Sequence, residues 1–178
     1  MDMLVALYRA DFPVEEDIRR LAAEGISIRR AHPVNLGVLQ EYVETAFSAG
    51  WKWEVTHCFS HPSPTCYIAV KDKKIIGFAA YEATAPDFFG PIGVSAEYRR
   101  KGIGTVLSRL CFRSMKEMGY GYAIIGWAAQ SARHFYRTQF GAVDIADSEP
   151  ENSVYANLIQ VDADPYLPAA ERSGEAAE

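Results

Sequence analysis

The chain has 178 residues, and its size and composition indicate one globular domain. Apolar residues make up 49% and charged residues 23%, which excludes disordered and collagen-like classes. No apolar run reaches the ~18–20 residues of a membrane span, and the three cysteines are too few and odd in number for a disulfide framework. We therefore expect a cytoplasmic protein without a membrane partner.

The formal net charge of −5 is concentrated at the C-terminus. Residues 162–178 hold five acids and one arginine, so they contribute −4 and leave about −1 for the rest of the chain. Their Ala-, Glu- and Pro-rich composition predicts a disordered acidic tail. Because the remaining chain has no basic excess, nucleic acid is not an expected partner.

Hydrophobic periodicity predicts a mixed order of helices and strands, with residues 1–25 as an N-terminal extension holding a strand at 3–8 and a helix at 13–24. The further predicted strands are 26–30, 65–70, 74–83, 88–95, 122–127, 142–146 and 154–161. A further helix is predicted to start at 33, and two more are predicted at 102–118 and 131–139. The short segment with two tryptophans at 51–53 receives no assignment. This order predicts an α/β (α+β) fold.

Gly90 and Pro91 lie inside the strand predicted at 88–95. Proline has no N–H group for the hydrogen bonds of a sheet, so we expect a bulge or a splayed edge at this point.

Gly102 and Gly104 lie between a predicted strand and the start of a predicted helix. Glycines allow a ligand to approach the main chain, and the unpaired amides of a helix N-terminus bind phosphate. A dinucleotide-binding fingerprint would need a third glycine at position 107, which is Leu107, and a P-loop would need Gly-Lys-Ser/Thr. The segment therefore predicts a phosphate-binding turn of neither type.

Residues 94–104 resemble the acetyl-CoA motif of the GNAT superfamily of N-acetyltransferases. The family pattern is Arg/Gln-x-x-Gly-x-Gly/Ala after a strand, and Arg99, Gly102 and Gly104 fill it. The strand at 122–127 and the segment Ala132-x-x-Phe135-Tyr136-x-x-x-x-Gly141 are similar to the second family motif.

With this element order, residues 26–161 are identified as a GNAT-like domain. The resemblance implies a mixed, mostly antiparallel sheet with a splayed central strand pair, flanked by helices. It also implies an enzyme that moves an acetyl group from acetyl-CoA to a primary amine of a small molecule or protein, by direct attack in a ternary complex.

The resemblance further implies a cofactor site without metal. The main chain of the splayed strand would hold the pantetheine arm, one amide near Val94 would polarise the thioester carbonyl, and the 100–105 turn would hold the diphosphate. Six bases stand against one acid between positions 97 and 116, and some of them would face the phosphates. The implied cofactor-binding residues are Ile92, Gly93, Val94, Arg99, Arg100, Lys101, Gly102, Ile103, Gly104 and Thr105.

Tyr136 matches the general acid of the family, which protonates the departing thiolate. The general base is not evident from the motifs. Glu82 and Asp87 flank the turn before the splayed strand and are the first candidates, with Glu54 as a third. The absence of a clear base leaves an alternative function open, a non-catalytic CoA-binding sensor or interaction module on the same fold.

His57, Cys58, His61 and Cys66 lie within ten residues, but their spacing fits no standard zinc site, so we expect no metal. The identity of the acceptor amine is not encoded in any motif, since acceptor loops vary freely on one fold. The sequence leaves the oligomeric state undetermined, with a homodimer as one alternative.

Overall fold

Seven strands form one mixed sheet in the computed structural model, which describes residues 1–157. The strands are β1 (Met3–Ala6), β2 (Ser27–Arg30), β3 (Cys66–Lys71), β4 (Lys74–Tyr81), β5 (Phe88–Val94), β6 (Tyr122–Ile125) and β7 (Val143–Asp144). Their order across the sheet is β2-β3-β4-β5-β6-β1-β7, and all neighbouring pairs are antiparallel except β5 and β6. The predicted mixed, mostly antiparallel sheet is confirmed. The tail predicted at 162–178 lies outside the described residues.

Five α-helices within residues 1–157 flank this sheet. They are α1 (Glu15–Ala23), α2 (Leu36–Ala46), α3 (Ala49–His57), α4 (Ile103–Glu117) and α5 (Gln130–Phe140). Helices α1, α4 and α5 contribute to the hydrophobic core on one face of the sheet, and α2 and α3 contribute to the core on the other. We call these the α4 face and the α2 face.

Helix α3 contains the segment that the hydrophobic pattern left unassigned. Its start is fixed by Ser48, whose Oγ accepts a hydrogen bond from the Trp51 amide at 3.2 Å, the usual arrangement of a serine N-cap. One of its tryptophans, Trp53, is 63% exposed, so apolar residues lie on more than one side of the helix. That mixture hides the helical period in the sequence.

The N-terminal segment is an internal part of the sheet. Strand β1 lies between β6 and β7 and is antiparallel to both. Met3 and Val5 are at most 1% exposed, and the buried Asp2 carboxylate accepts a hydrogen bond from the Trp127 amide at 2.7 Å. Residues 1–25 therefore contribute to the same core as the rest of the chain, while the domain boundary predicted after residue 25 stays a prediction.

Strand β5 contains the bulge that its sequence predicts. Tyr81 of β4 pairs with Phe89, whereas Ala79 pairs with Ile92, so β5 has one more residue than β4 in this interval. The extra residue falls at Gly90 and Pro91, where proline cannot donate to the ladder.

Beyond the bulge, β5 separates from β6. Within residues 1–157 the two parallel strands pair at two positions, where the start of β5 meets the end of β6: Phe88 with Ile124 and Phe89 with Ile125. The splayed central strand pair is thus present, and it leaves a gap between the second half of β5 and the residues that follow β6.

The last predicted strand pair forms only in part. Strand β7 comprises Val143–Asp144, but Val154–Asn157 is a short 3-10 helix, so the strand predicted at 154–161 is wrong over 154–157, and 158–161 lie outside the described residues. Local bonds replace the ladder here, since the Ala156 amide donates to the Ser153 carbonyl at 3.0 Å.

Candidate functional site

The turn between β5 and α4 presents main-chain amides without acceptors. Arg100 and Gly102 have φ values of +61° and +82°, which turn the chain sharply before the helix starts. Within residues 1–157, the amides of 100–105 donate to no acceptor, and the first bond into the helix is from Val106 N to Gly102 O at 3.0 Å. These amides and the positive end of the helix dipole form a site for an anion.

Gly104 is a glycine that the fold itself does not require. It is not among the residues with a positive φ, and an added Cβ would lie 3.9 Å from Ile92 and Val94, an ordinary contact distance. Gly102 differs, because its left-handed φ disfavours a side chain and a Cβ would lie 2.9 Å from Arg20 Nη2. A small side chain at position 104 would therefore meet no protein atom at less than ordinary contact distance.

The gap between β5 and β6 is lined by main-chain groups of β5. The Ser95 amide donates to the Ile76 carbonyl at 2.9 Å, so the Ser95 main chain faces β4. Because main-chain direction alternates along a strand, the amides of Ile92 and Val94 face the gap. The Val94 carbonyl accepts a hydrogen bond from Arg99 Nε at 3.1 Å. An extended ligand in the gap could pair with β5 as a strand would.

Gly93 has a packing role that the sequence did not reveal. An added Cβ would lie 2.4 Å from the Phe47 ring, which covers this point of β5 from the α2 face. Phe47 in turn stacks on Trp51 of α3, with ring centroids 5.6 Å apart and an interplanar angle of 28°. The cofactor-binding role predicted for Gly93 stays a prediction.

Tyr136 lies on the α4 face, close to the point where β5 and β6 separate. Its ring meets the Phe89 ring edge to face, with centroids 6.2 Å apart, and Phe89 forms the last pair between the two strands. Tyr136 is 5% exposed, and its hydroxyl has no hydrogen-bond partner within residues 1–157. Burial raises the pKa of this phenol far above its usual value, so it keeps its proton near neutral pH.

Glu54 lies on the α2 face, one helical turn after Trp51. Trp51 and Phe47 fix the start of α3 near Gly93, and the Glu54 carboxylate accepts a hydrogen bond from Thr84 in the loop between β4 and β5. Helix α3 therefore runs alongside β5. Burial raises the pKa of Glu54 to about 7, against the smaller lowering effect of the Thr84 hydrogen bond.

Glu82 and Asp87 both adopt left-handed φ values, +54° and +59°, at the two ends of the loop between β4 and β5. The buried Glu82 carboxylate accepts a hydrogen bond from Tyr120, which follows α4, and its second oxygen lies 3.7 Å from His61 Nδ1. Burial raises the pKa of Asp87. Glu82 and Asp87 both act on the Tyr120 phenol, and Glu54, a residue of α3, acts with Glu82 on the Cys58 thiol. The three candidate carboxylates therefore lie around the loop between β4 and β5.

Most of the basic cluster is paired with acids of the N-terminal segment. Lys101, Arg109, Arg113 and Lys116 form ion pairs with Glu24, Asp17, Glu15 and Asp11, at N–O distances of 2.9, 3.1, 2.7 and 3.1 Å respectively. Within residues 1–157, Arg99 and Arg100 pair with no carboxylate. The sequence pattern missed this because the acids are about 80 to 100 residues away in the chain.

The cysteines and histidines considered as metal ligands do not converge. Within residues 1–157, no group of three or more His, Cys, Asp or Glu side chains could hold a metal ion. Burial raises the pKa of Cys58 to about 12, and Cys66 and Cys111 are also buried, so these thiols are not activated nucleophiles. The helices of the same residues include none long and apolar enough to cross a membrane.

Sequence comparison identifies the class of protein that this fold and turn define. A sequence model of the acetyltransferase (GNAT) family matches residues 35–142. The chain therefore belongs to the GNAT acetyltransferase family. None of the curated proteins compared with the chain matches it.

Solved structures show the same fold. A glucosamine N-acetyltransferase region of a fungal multi-domain GH3 β-N-acetylglucosaminidase is 17% identical, with a TM-score of 0.61, covering 80% of this chain and 19% of that chain. A GCN5-related N-acetyltransferase from Sphaerobacter thermophilus is 21% identical, with a TM-score of 0.59, covering 80% of this chain and 47% of that chain. The chain thus spans less than half the length of either structure, and the likeness confirms the GNAT fold.

The contact between Gly93 and Phe47 generates a stability prediction. Gly93→Ala places a Cβ inside the Phe47 ring, so we expect it to lower the free energy of unfolding by about 1–3 kcal/mol, as overpacked cores do. Chemical denaturation measures the change. Gly104→Ala, which meets no close atom, is the matched control and should stay within about 0.5 kcal/mol of wild type. Equal stability of the two variants would contradict the packing role.

Proposed function

We propose that the protein transfers the acetyl group of acetyl-CoA to a primary amine by direct attack in a ternary complex. The observation that carries this proposal is the position of Tyr136, whose ring packs against Phe89 in the last pair between β5 and β6. The acceptor is a small molecule or a protein amino group. A cytoplasmic location and a homodimer remain predictions.

The cofactor is proposed to lie along the gap. The amides of the 100–105 turn would bind the diphosphate, with Gly102 and Gly104 allowing close approach. The pantetheine arm would pair with Ile92 and Val94, whose main-chain groups face the gap. An amide of this stretch would stabilise the negative charge that develops on the thioester oxygen.

Acid and base are proposed to act from opposite faces of the sheet. The amine nitrogen attacks the thioester carbon, the new C–N bond forms, and the C–S bond breaks. Tyr136 gives its proton to the departing thiolate from the α4 face. Glu54 accepts a proton of the attacking amine from the α2 face, where Phe47 and Trp51 are available to contact the acceptor.

Glu54 fits the role of base better than the two other carboxylates. An effective base has a pKa near the working pH, and burial raises the pKa of Glu54 to about 7. Glu82 faces protein groups with both oxygens, Tyr120 with one and His61 Nδ1 at 3.7 Å with the other, whereas the hydrogen bond of Glu54 within residues 1–157 is to Thr84. Glu82 and Asp87 remain the alternative candidates, and proton transfer through water would be needed if either acts.

Thiol release tests the proposed reaction. With acetyl-CoA alone we expect little free thiol, and with the correct member of an amine panel we expect steady release. Gly104→Glu should abolish release and the stabilisation by acetyl-CoA, because a carboxylate would stand against the phosphates. Acetyl-CoA binding to the wild type without release for any amine would favour the sensor function. Unchanged binding in Gly104→Glu would contradict the placement of the diphosphate.

Tyr136→Phe removes only the hydroxyl oxygen. Because that oxygen has no protein partner within residues 1–157, we expect an unchanged melting temperature and acetyl-CoA affinity. At saturating acceptor, kcat should fall by roughly 10²-fold, the lower end of general acid catalysis, since a thiolate leaves fairly readily. A kcat within about twofold of wild type would return Tyr136 to a purely structural role.

Glu54→Gln tests the base through two pH profiles. In the wild type, kcat/KM should rise as pH increases through about 7, because Glu54 must be ionised to accept a proton. The variant should lose this rise and about 10²-fold in rate. Glu54→Asp, which keeps a carboxylate, is the matched control and should retain the profile at a lower rate.

The same pKa shift predicts an independent effect on stability. A carboxyl with a pKa raised on folding favours the folded state most when protonated, so its contribution is present below pH ~4.5 and lost as pH rises through about 7. Glu54→Gln should therefore become more stable relative to wild type between pH 5 and pH 8. A stability difference that does not change with pH would contradict the raised pKa.

A further inference from the structure

Helix α1 lies directly against the turn that the cofactor diphosphate is proposed to occupy. Leu21 of α1 is fully buried in the core of the α4 face, so apolar packing holds the helix against the domain. The ion pairs of Asp17 with Arg109 and of Glu15 with Arg113 fix its position along α4. This arrangement brings the side chain of Arg20 to the turn.

The side chain of Arg20 contacts the main chain of the turn. Arg20 Nη2 donates a hydrogen bond to the Lys101 carbonyl at 3.1 Å and lies 2.9 Å from the position of a Cβ on Gly102. Two carboxylates of α1 hold the guanidinium in place, Asp17 at 3.2 Å and Glu24 at 3.6 Å. The charge of Arg20 is therefore balanced locally, and its specific contact is with one carbonyl oxygen.

The planarity of the peptide group makes this contact significant. In a trans peptide the carbonyl of one residue and the N–H of the next point in opposite directions, and the bond between Lys101 and Gly102 is trans. When Arg20 binds the Lys101 carbonyl on the α1 side, the Gly102 N–H is directed away from α1. The carbonyl dipole, which would repel a phosphate, is thereby kept on the far side of the turn.

We propose that Arg20 is a positioning residue for cofactor binding, which orients the Gly102 amide toward the diphosphate by holding the Lys101 carbonyl. The inference rests on the proposed placement of the diphosphate at residues 100–105. Without Arg20, Gly102, a glycine at φ +82°, allows this peptide to adopt other orientations. Binding would then require the turn to be ordered at the expense of affinity.

The side chain of Lys101 supports this assignment. Its Nζ lies 2.9 Å from a Glu24 oxygen, so the ammonium is directed to α1 rather than to the open side of the turn. Both polar parts of Lys101, the carbonyl and the ammonium, are thus held by α1. The turn is left to bind phosphate through its amides.

Arg20→Met tests the proposal, because methionine keeps an apolar stem of similar length and removes the donor. We expect the Kd for acetyl-CoA to rise about tenfold, the effect of one lost charge-assisted hydrogen bond, with kcat at saturation unchanged. The KM for S-acetylpantetheine, which lacks the diphosphate, should not change. Arg20→Lys retains one donor and should recover most of the affinity.

Arg19→Met is the matched control, since Arg19 is the exposed neighbour of Arg20 and, within residues 1–157, its side chain donates only to the Glu15 carbonyl of its own helix. It should bind acetyl-CoA as the wild type does. A Kd within twofold of wild type for Arg20→Met, or an equal rise in KM for both acetyl donors, would overturn the proposal. If Gly104→Glu also binds acetyl-CoA normally, the placement of the diphosphate fails; if only Arg20→Met does, the positioning role alone fails.

Discussion

The separation of β5 from β6 is the constraint on which the proposed site depends. Two pairs of residues join these parallel strands, and the bulge at Gly90 and Pro91 immediately follows the second pair. Proline cannot donate to a ladder, and the extra residue shifts the direction of the groups beyond it. The amides of Ile92 and Val94 consequently face a gap instead of a neighbouring strand. In a closed sheet these donors would be satisfied by the protein, and a ligand would have no main chain with which to pair.

Burial raises the pKa of both the proposed acid, Tyr136, and the proposed base, Glu54, and the two shifts have opposite chemical consequences. Desolvation disfavours the charged form of both groups. For Tyr136 it raises the pKa of a phenol that is already neutral near pH 7, so the hydroxyl keeps its proton and is available as a hydrogen-bond donor to the departing thiolate. For Glu54 it raises the pKa of a carboxyl only to about 7, so a substantial fraction can still accept a proton near neutral pH. The two side chains lie on opposite faces, which would keep proton donation and proton acceptance apart.

Features set by local sequence were predictable, and features set by remote contacts were not. The bulge in β5 and the turn around Gly102 follow from residue types at fixed spacing, and the sequence also indicated the second motif with Tyr136. Helix α3 escaped prediction because its apolar residues are not restricted to one side. The sequence favours Glu82 over Glu54 as the base, since the burial that raises the pKa of Glu54 arises only in the fold. The position of β1 between β6 and β7 depends on pairing across more than 100 residues, which periodicity does not encode.

The interactions of the basic cluster also depend on remote contacts that the sequence does not reveal. Along the sequence, six bases around the turn suggest a surface that attracts phosphate through side-chain charge. In the fold, acids of the N-terminal segment pair with four of them, and Lys101 is among those four. The bases of α4 thus hold α1 in place, and α1 holds the Lys101 carbonyl through Arg20. Side-chain charge acts indirectly in this arrangement: it fixes the helix that orients the turn, and the amides of the turn are left to recognise the anion.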